Sequence, residues 1–367
     1  MDPLAVRFSF KPYRIRFKAP VRTAHGLWAD REGVWVRLEA EDGRIGWGEA
    51  APVPHFGMES AADVLEACKR LPNRLDAKTI PAALSRDAPS LANALAFALA
   101  EVREGAAPAD PIAGAPGMAP PLGENARDRH SVAALLPAGR AALAAAGPKA
   151  EAGFRSFKWK VGTGAVSDEL ALLDDLCAAL PAGARLRLDA NGAWDRRAAE
   201  RWLERCAERP VEFVEQPVAA ETRGACDLLL GLAADYPTPI ALDESLVGVG
   251  DLDRWFGAGW PGFYVIKPLL LADPFEALKA LAAAHARVVF SSALETAVGA
   301  RAALRAVFDW PGERYALGFG VWPLFEGGNF DGPAAAPFLR RSDVGFLKPK
   351  AAWDAMDGRA APRAASA

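Results

Sequence analysis

The sequence is poor in the residues that usually hold zinc or form disulfides, with 4 cysteines and 4 histidines among 367 residues. The cysteines form no CxxC pair, so neither a zinc knuckle nor a disulfide framework is indicated; they are Cys68, Cys177, Cys206 and Cys226. The histidines form no HExxH or HxH spacing; they are His25, His55, His130 and His285. Any metal bound by this chain must therefore be held by oxygen ligands.

Long apolar runs and an excess of positive charge are also lacking. No uncharged stretch approaches the ~18 residues of a membrane-spanning helix, and residues 1–17 alternate apolar with basic side chains. Lys and Arg number 43 against 46 Asp and Glu, a net charge of −3, whereas nucleic-acid-binding proteins carry a basic surplus. We therefore expect a cytoplasmic protein with no membrane or nucleic-acid partner. Whether it forms a homo-oligomer is left open by the sequence.

Two common nucleotide and nucleophile signatures are missing as well. The patterns GxxxxGK[ST] and GxSxG do not occur, and the stretch Gly162-Thr163-Gly164 lacks the third glycine of a dinucleotide fingerprint. Nucleotide binding and serine-nucleophile hydrolysis are therefore not indicated.

The first hundred residues have the pattern of a small α+β domain. Residues 6–49 contain extended, alternating stretches interrupted at 41–44 by a predicted hairpin turn, and helical patterns follow at 59–71 and 89–103. A linker rich in Ala, Pro and Gly then covers 105–123. We predict a domain over 1–122, a second over 123–325, and a segment over 326–367 that packs back on the first domain.

The second domain alternates short apolar runs with Ala- and Leu-rich amphipathic stretches. Strict β/α alternation at this length predicts a parallel (β/α) barrel of the TIM type, with a doubly wound open sheet as the structural alternative. The eight predicted strands are 131–136, 156–161, 186–189, 212–215, 240–243, 263–267, 288–291 and 315–317.

Ionisable residues stand at or within one residue of the C-terminal end of five successive apolar runs; they are Lys160, Asp189, Glu215, Asp243 and Lys267. They are 24 to 29 residues apart, about one β/α unit, and a barrel brings such strand ends to one mouth. Three carboxylates make a hard oxygen site that suits Mg²⁺. Because a desolvated lysine beside a divalent cation can act as a general base, the set suits removal of a proton α to a carboxylate.

These motifs resemble the enolase superfamily, specifically its muconate-lactonizing branch. The residues that carry the resemblance are Lys158-Trp159-Lys160, the stretch 188–194 (LDANGAW), Val214-Glu215-Gln216-Pro217, Leu242-Asp243-Glu244-Ser245 and Ile266-Lys267-Pro268. Within that branch the chain is most similar to the o-succinylbenzoate synthase family, through Gly46-Trp47-Gly48-Glu49-Ala50 with Pro52 and through the stretch 291–296 (SSALET).

The resemblance implies roles for five of these residues. Asp189, Glu215 and Asp243 would bind Mg²⁺, Lys160 would abstract the proton, and Lys267 would stay cationic on the opposite side of the substrate. The implied enzyme is a carbon-oxygen lyase. It would catalyse syn-dehydration of 2-succinyl-6-hydroxy-2,4-cyclohexadiene-1-carboxylate to 2-succinylbenzoate in menaquinone biosynthesis, through a metal-stabilised enediolate.

Two other functions stay open at this point. An N-acylamino-acid racemase or dipeptide epimerase of the same superfamily would use both lysines, one as base and one as acid. A catalytically inactive binding protein is the alternative of another class, although five clustered charges would be costly to keep without a cation or ligand.

Further residues near the predicted mouth have less specific signals. Lys158 is expected to bind the substrate carboxylate or to act on Lys160 by its charge, and Arg187 to contact substrate or to form an ion pair inside the barrel. Ser291 and Ser292 precede a helix predicted to begin near Leu294, where they could hold an anionic group or cap the helix.

Two residues adjoin the predicted ligands, and two loops of the first domain are expected to close over the mouth. Asn191 and Glu244 are expected to orient the ligands or the lysines, with capping or solvation as the alternative for Glu244. The two loops are 22–26 and 52–57, and His25 in the first is interpreted as a loop histidine rather than a catalyst.

Overall fold

The computed structural model covers most of both predicted domains. The described residues are 5–23, 26–53, 56–76, 84–105, 128–248 and 250–356, without the side chains of 22, 23 and 85. The predicted boundary near 123 and the predicted linker after Gly105 lie outside the described residues, as do His25 and His55.

The first domain, here called the cap, is a four-stranded antiparallel sheet covered by helices. Its sheet has the order β3-β2-β1-β4, and β2 and β3 are joined by the predicted hairpin, in which Gly43 takes a φ of 85°. The strands are β1 (Ala5–Thr23), β2 (Gly26–Ala40), β3 (Ile45–Ala50) and β4 (Arg74–Asp76), and the helices are α1 (Ala61–Arg70), α2 (Leu84–Asp87) and α3 (Pro89–Glu104). Both predicted helices of the cap are thus present.

Alternation along the cap strands gives the sheet two buried faces. Val34 and Val36 of β2 pack with the helices of the cap, whereas Trp35 between them joins the core that the cap shares with the second domain. Strand β3 lies directly on α3. Gly48 is so close to that helix that a Cβ there would overlap the carbonyl oxygen of Ala94. The cap is therefore a layer between its own helices and the second domain.

The second domain is a curled parallel sheet of seven strands in the order β12-β11-β10-β9-β8-β7-β6. A short strand, β5 (Arg129–Ser131), precedes them. The seven strands are β6 (Ala133–Leu136), β7 (Ser156–Lys160), β8 (Arg185–Asp189), β9 (Val211–Glu215), β10 (Ile240–Leu242), β11 (Phe263–Ile266) and β12 (Arg287–Phe290). The helices between and after them are α4 (Ala141–Glu151), α5 (Val166–Ala179), α6 (Arg196–Cys206), α7 (Ala225–Asp235), α8 (Asp251–Gly257), α9 (Pro274–Ala283) and α10 (Ala297–Phe308).

The eighth predicted strand, 315–317, is reduced to two single bridges. Leu317 pairs with Val132 next to β6, and Gly318 pairs with Ser291 after β12. These bridges connect the two edges of the sheet, so the barrel prediction is confirmed and the open doubly wound alternative is wrong. The run is too short for a full strand, and Gly318 lies so close to Ser291 that a Cβ there would contact the serine hydroxyl.

The C-terminal segment touches both domains. It contains β13 (Phe338–Arg340), α11 (Arg341–Gly345) and α12 (Pro349–Ala355). Strand β13 pairs antiparallel with β5, while the Trp353 ring packs edge-on against Trp47 of the cap at 5.4 Å between centroids. Among the described helices, none is long and apolar enough to span a membrane.

Candidate active site

The three predicted carboxylate ligands stand at the C-terminal ends of three neighbouring strands. Asp189 ends β8, Glu215 ends β9 and Asp243 follows β10. Asp189 is in register with Lys160 on one side and with Glu215 on the other, so these three side chains leave the sheet at one level. Asp189 and Asp243 line a cavity of about 500 Å³ between the barrel mouth and the cap.

Two lysines are bound to this row of carboxylates. Lys158 Nζ lies 2.7 Å from Glu215 Oε1 and 3.0 Å from Asp189 Oδ2, and Lys267 Nζ donates to Asp243 Oδ1. Burial alone would lower the pKa of both lysines, but the surrounding carboxylates outweigh burial and raise it above the ordinary value. Both lysines are therefore held as ammonium ions.

The carboxylates respond differently to the same surroundings. Burial, reinforced by the charges of Asp189 and Asp243 and opposed by Lys158, holds the pKa of Glu215 well above its usual range. Burial also acts to raise the pKa of Asp243, but Lys267 and Lys158 prevail and lower it. The cluster as arranged carries a shortage of positive charge around Glu215, which a divalent cation would relieve.

The donor set fits a hard divalent cation, although its oxygens face the lysines. Among the described residues, no three His, Cys, Asp or Glu side chains form a ready arrangement around one point, because Lys158 and Lys267 take up the carboxylate oxygens. Three carboxylates, of which Glu215 and Asp243 are buried and Asp189 is half-buried, without nitrogen or sulfur donors are the ligand type of Mg²⁺.

The remaining predicted lysine, Lys160, lies across the mouth from Lys267. Lys160 ends β7 and Lys267 follows β11, so the three strands that carry the carboxylates separate them in the sheet. Both side chains line the cavity, and Lys267 Nζ stands 5.3 Å from the ring centroid of Phe56 in the cap. A substrate in this cavity would have one lysine on each flank.

Gln216 fixes the main chain that carries Asp243, a role not predicted from the sequence. Its side-chain carbonyl accepts hydrogen bonds from the N–H groups of Asp243 at 3.1 Å and Ser245 at 3.2 Å. Its amide donates to Val218 O and to Ser245 Oγ. Gln216 is fully buried and takes a φ of 38°. The sequence signal for its role was its position directly after Glu215.

Asn191 and Glu244 are paired with each other beside the ligands. Asn191 Nδ2 donates to Glu244 Oε1 at 3.0 Å, and the Asn191 main-chain N–H donates to Asp189 Oδ1 at 3.3 Å. Burial, followed by the charges of Asp243 and Asp189, raises the pKa of Glu244 to about 7. Both residues line the cavity, and their orienting role stays a prediction.

Ser291 and Ser292 also line the cavity, but the helix after them begins later than predicted. Leu294 has a φ of 60°, a conformation that cannot start a helix, and α10 begins at Ala297 with Thr296 as its N-cap. Ser292 Oγ accepts from Leu294 N at 3.0 Å and donates to Glu295 Oε2 at 3.0 Å. The two serines thus lie in a loop ahead of the helix, so the helix-capping interpretation is wrong.

Arg187 is placed below the cavity rather than in its wall. Its guanidinium pairs with Glu212 Oε2 at 2.6 Å, donates to Ala316 O at 2.7 Å and lies over the Phe213 ring. The residue is 1% exposed and does not line the cavity. The predicted substrate contact of Arg187 is therefore not supported, and the ion-pair interpretation describes its position. Arg187 stands two residues before Asp189 on β8 and so lies one layer deeper in the barrel.

The glycine-containing loop after β7 has its main-chain donors occupied. The carboxylate of Glu169 accepts from the N–H groups of Gly162, Thr163 and Gly164 at 2.9 to 3.2 Å. A phosphate at this loop would have to displace this carboxylate.

The cap and the barrel meet at a buried acidic residue of the cap. Glu49 of β3 accepts hydrogen bonds from the N–H groups of Thr296 and Gly299, at the start of α10, and from Tyr13 Oη at 2.5 Å. A carboxylate at a helix N-terminus is favourable because the first N–H groups lack partners within the helix. The GWGE stretch noted in the sequence therefore joins the two domains.

Comparison with known proteins agrees with this arrangement. Residues 139–336 match the family described as "Enolase C-terminal domain-like", and residues 8–102 match "MenC, N-terminal domain". The fold and the site thus define a two-domain barrel protein of the enolase type. The chain belongs to the o-succinylbenzoate synthase family of the enolase superfamily.

Individual relatives give the same assignment. The o-succinylbenzoate synthase of Thermosynechococcus vestitus is 39% identical over 86% of this chain and 92% of the relative. A crystal structure of the synthase from Thermosynechococcus elongatus BP-1, complexed with Mg in its active site, aligns with a TM-score of 0.75 and 35% identity over 96% of this chain and 99% of that one. The hydrophobic dipeptide epimerase of Roseobacter litoralis is 29% identical over 81% of this chain and 86% of its own. The predicted family and the predicted lyase class are confirmed.

Proposed function

We propose that this chain catalyses the o-succinylbenzoate synthase reaction of menaquinone biosynthesis, the Mg²⁺-dependent syn-dehydration of 2-succinyl-6-hydroxy-2,4-cyclohexadiene-1-carboxylate. The observation that carries the proposal is the placement of Lys160 and Lys267 on opposite flanks of one cavity, with the row of carboxylates between them. The domains proposed for it are 1–122, 123–325 and 326–367.

In this proposal Asp189, Glu215 and Asp243 hold Mg²⁺, as their donor type and burial suggest. The bound cation supplies Lewis-acid stabilisation of the negative charge that develops on the substrate carboxylate. Lys267 adds a fixed positive charge on the same side as Asp243, to which it is bound. Asn191 and Glu244 keep the ligand side chains oriented.

Lys160 performs the proton chemistry of the proposed reaction. The neutral amine of Lys160 takes the proton α to the substrate carboxylate. It then returns that proton to the hydroxyl that departs from the same face, so one lysine serves a syn elimination. Lys158 neutralises part of the charge of Asp189 and Glu215 and lines the cavity beside the site of the substrate carboxylate.

The far end of the cavity takes the succinyl chain. Its described lining is mostly apolar and includes Trp28, Val53 and Phe56 from the cap with Leu294 and Val321 from the barrel. Ser291 provides a hydroxyl group there for the terminal carboxylate, whereas Ser292 donates its hydroxyl proton to Glu295 and would have to exchange that partner for the substrate.

Racemisation of N-acylamino acids is the second candidate, because both lysines line the cavity and each could exchange a proton from its own side. An epimerase acting on dipeptides would in addition need an acceptor for a cationic amino group. Among the described lining residues, Trp28, Val53, Phe56, Leu294 and Val321 offer none, whereas Glu221 carries a carboxylate in the same cavity. The dipeptide epimerase therefore stays a further candidate.

The test is turnover of the cyclohexadiene precursor by purified protein with Mg²⁺, followed by ultraviolet absorbance as the aromatic product forms. We expect turnover that Lys160→Ala abolishes and that Lys279→Ala, at an exposed surface lysine, leaves intact. Absence of turnover in the wild-type protein, together with racemisation of N-succinylamino acids, would move the assignment to the racemase.

A further inference from the structure

Arg31 is a buried charged residue that the chemistry above does not use. It lies on β2 of the cap and is 1% exposed. The five hydrogen bonds that the described residues offer it all end on main-chain carbonyl oxygens. Among the described residues its hydrogen-bond acceptors are therefore carbonyl dipoles and not carboxylates. A buried guanidinium held in this way is costly compared with an apolar side chain of similar size, so stability by itself is a weak reason for an arginine here.

The carbonyls bound by Arg31 come from the two segments that form the roof of the cavity. In the cap they belong to Ala51 and Pro52, the latter with a 2.7 Å bond, directly before Val53. In the barrel they belong to Ala293 at 3.4 Å and Leu294 at 3.2 Å. One side chain therefore joins a cap loop to the barrel loop that carries the two serines.

Arg31 also orders a third part of the roof. Its guanidinium carbon lies 5.0 Å from the ring centroid of Trp28, and Trp28, Val53 and Leu294 all line the cavity. The planar guanidinium supplies several donors in fixed directions, whereas a lysine would supply a single mobile ammonium. This one group thus contacts all three parts of the roof, two in the cap and one in the barrel.

We propose that Arg31 is a positioning residue that sets the fit of the cavity roof to the succinyl chain, and that it acts through Trp28, Val53 and Leu294 without touching the substrate. This inference rests on the proposed function, because it assigns the roof to the part of the substrate remote from the carboxylates. It predicts a loss confined to ligands that carry that chain.

The experiment compares binding of two probes to the full-length protein with Mg²⁺: 2-succinylbenzoate, which has the chain, and benzoate, which lacks it. We expect Arg31→Lys to weaken 2-succinylbenzoate about tenfold and to leave the affinities for benzoate and for Mg²⁺ unchanged. Precursor turnover should show a raised KM with a smaller change in kcat. Arg37→Lys is the matched control, since Arg37 lies on the same strand and pairs with Glu39.

The outcomes separate the two proposals. Suppose that the wild-type protein turns over the precursor. If Arg31→Lys then keeps its preference for 2-succinylbenzoate, or loses affinity for both probes equally, the inference about Arg31 is overturned and the proposed function stands. A wild-type protein that neither binds 2-succinylbenzoate nor turns over the precursor overturns the proposed function and this inference with it.

A second measurement needs no variant and so does not depend on folding of Arg31→Lys. In wild-type protein, 2-succinylbenzoate should slow amide hydrogen exchange at Ala51 and Val53 and in 291–294 together, whereas benzoate should slow neither. Protection of one segment without the other would show that the roof does not respond as a unit and would overturn the inference.

Discussion

Lys158 Nζ donates a 2.7 Å hydrogen bond to Glu215 Oε1 from a strand two positions away in the sheet. The same ammonium lies 3.0 Å from Asp189 Oδ2. One cation of the chain thus binds two of the three carboxylates proposed to hold Mg²⁺, so Lys158 and the metal compete for the same negative charge.

Replacing Lys158 with methionine should therefore strengthen Mg²⁺ binding while weakening catalysis. Removal of a neighbouring positive charge raises the affinity for Mg²⁺, by about tenfold for each 1.4 kcal/mol of repulsion removed. Catalysis falls because the substrate carboxylate loses the ammonium group of Lys158. Isothermal titration with Mg²⁺ measures the first effect, with Lys279→Met as the surface control. An affinity that falls would show that Lys158 supports the metal site instead of competing with it.

Lys267→Arg should separate dehydration from racemisation. Arginine keeps the positive charge that stabilises the developing enolate but cannot give up a proton. Dehydration should fall moderately, while exchange of the α-proton of N-succinylamino acids, followed by NMR in deuterated buffer, should be lost for one enantiomer only. Equal losses in both reactions would contradict this division of roles between Lys160 and Lys267.

Arg187→Met should destabilise the barrel without changing the chemistry. It leaves the half-buried Glu212 without its ion-pair partner and removes the hydrogen bond to Ala316, which holds the segment that closes the sheet. We expect a loss of about 3–5 kcal/mol in the free energy of unfolding, with KM for the precursor nearly unchanged in the folded fraction. Chemical denaturation and steady-state kinetics measure the two effects. A large rise in KM at unchanged stability would show instead that Arg187 contacts the substrate.

The sequence was sufficient for the parts of the site that depend on local pattern. Lys160, Asp189 and Glu215 could be placed because each ends an apolar run, and the end of a parallel strand has one fixed position in a barrel. The eighth strand was overestimated because three apolar residues carry no periodicity. The helix start after Ser292 was missed because Leu294 takes a left-handed conformation that its side chain does not signal.

Contacts across the domain junction could not be predicted. Arg31 meets Leu294 across 263 residues of sequence, and Glu49 meets Gly299 across 250. Neither pair leaves a periodic trace, because each depends on how the cap packs on the barrel. The partners of Lys158 and Lys267 were likewise set by side-chain geometry at the mouth.

Glu295, in the loop that Arg31 holds, should make stability depend on pH. Burial, together with the nearby Glu49, raises the pKa of its carboxyl to about 7, although Ala293 N and Ser292 Oγ donate to it. A raised carboxyl pKa means that the folded state favours the protonated form. The stabilisation is full below the ordinary pKa of 4.5 and is lost as the pH rises through about 7.

Glu295→Gln should remove this dependence, since the amide carbonyl can still accept from Ala293 and Ser292. Relative to wild type, the variant should gain a few °C in Tm between pH 5 and pH 8, measured by scanning calorimetry. Glu276→Gln, at an exposed carboxylate of α9, should show no such gain. A difference in Tm that stays constant over this range would mean that Glu295 is already ionised in the folded protein at pH 5. Its Oε1 atom, which has no hydrogen-bond partner among the described residues, would then be stabilised by a partner such as ordered water.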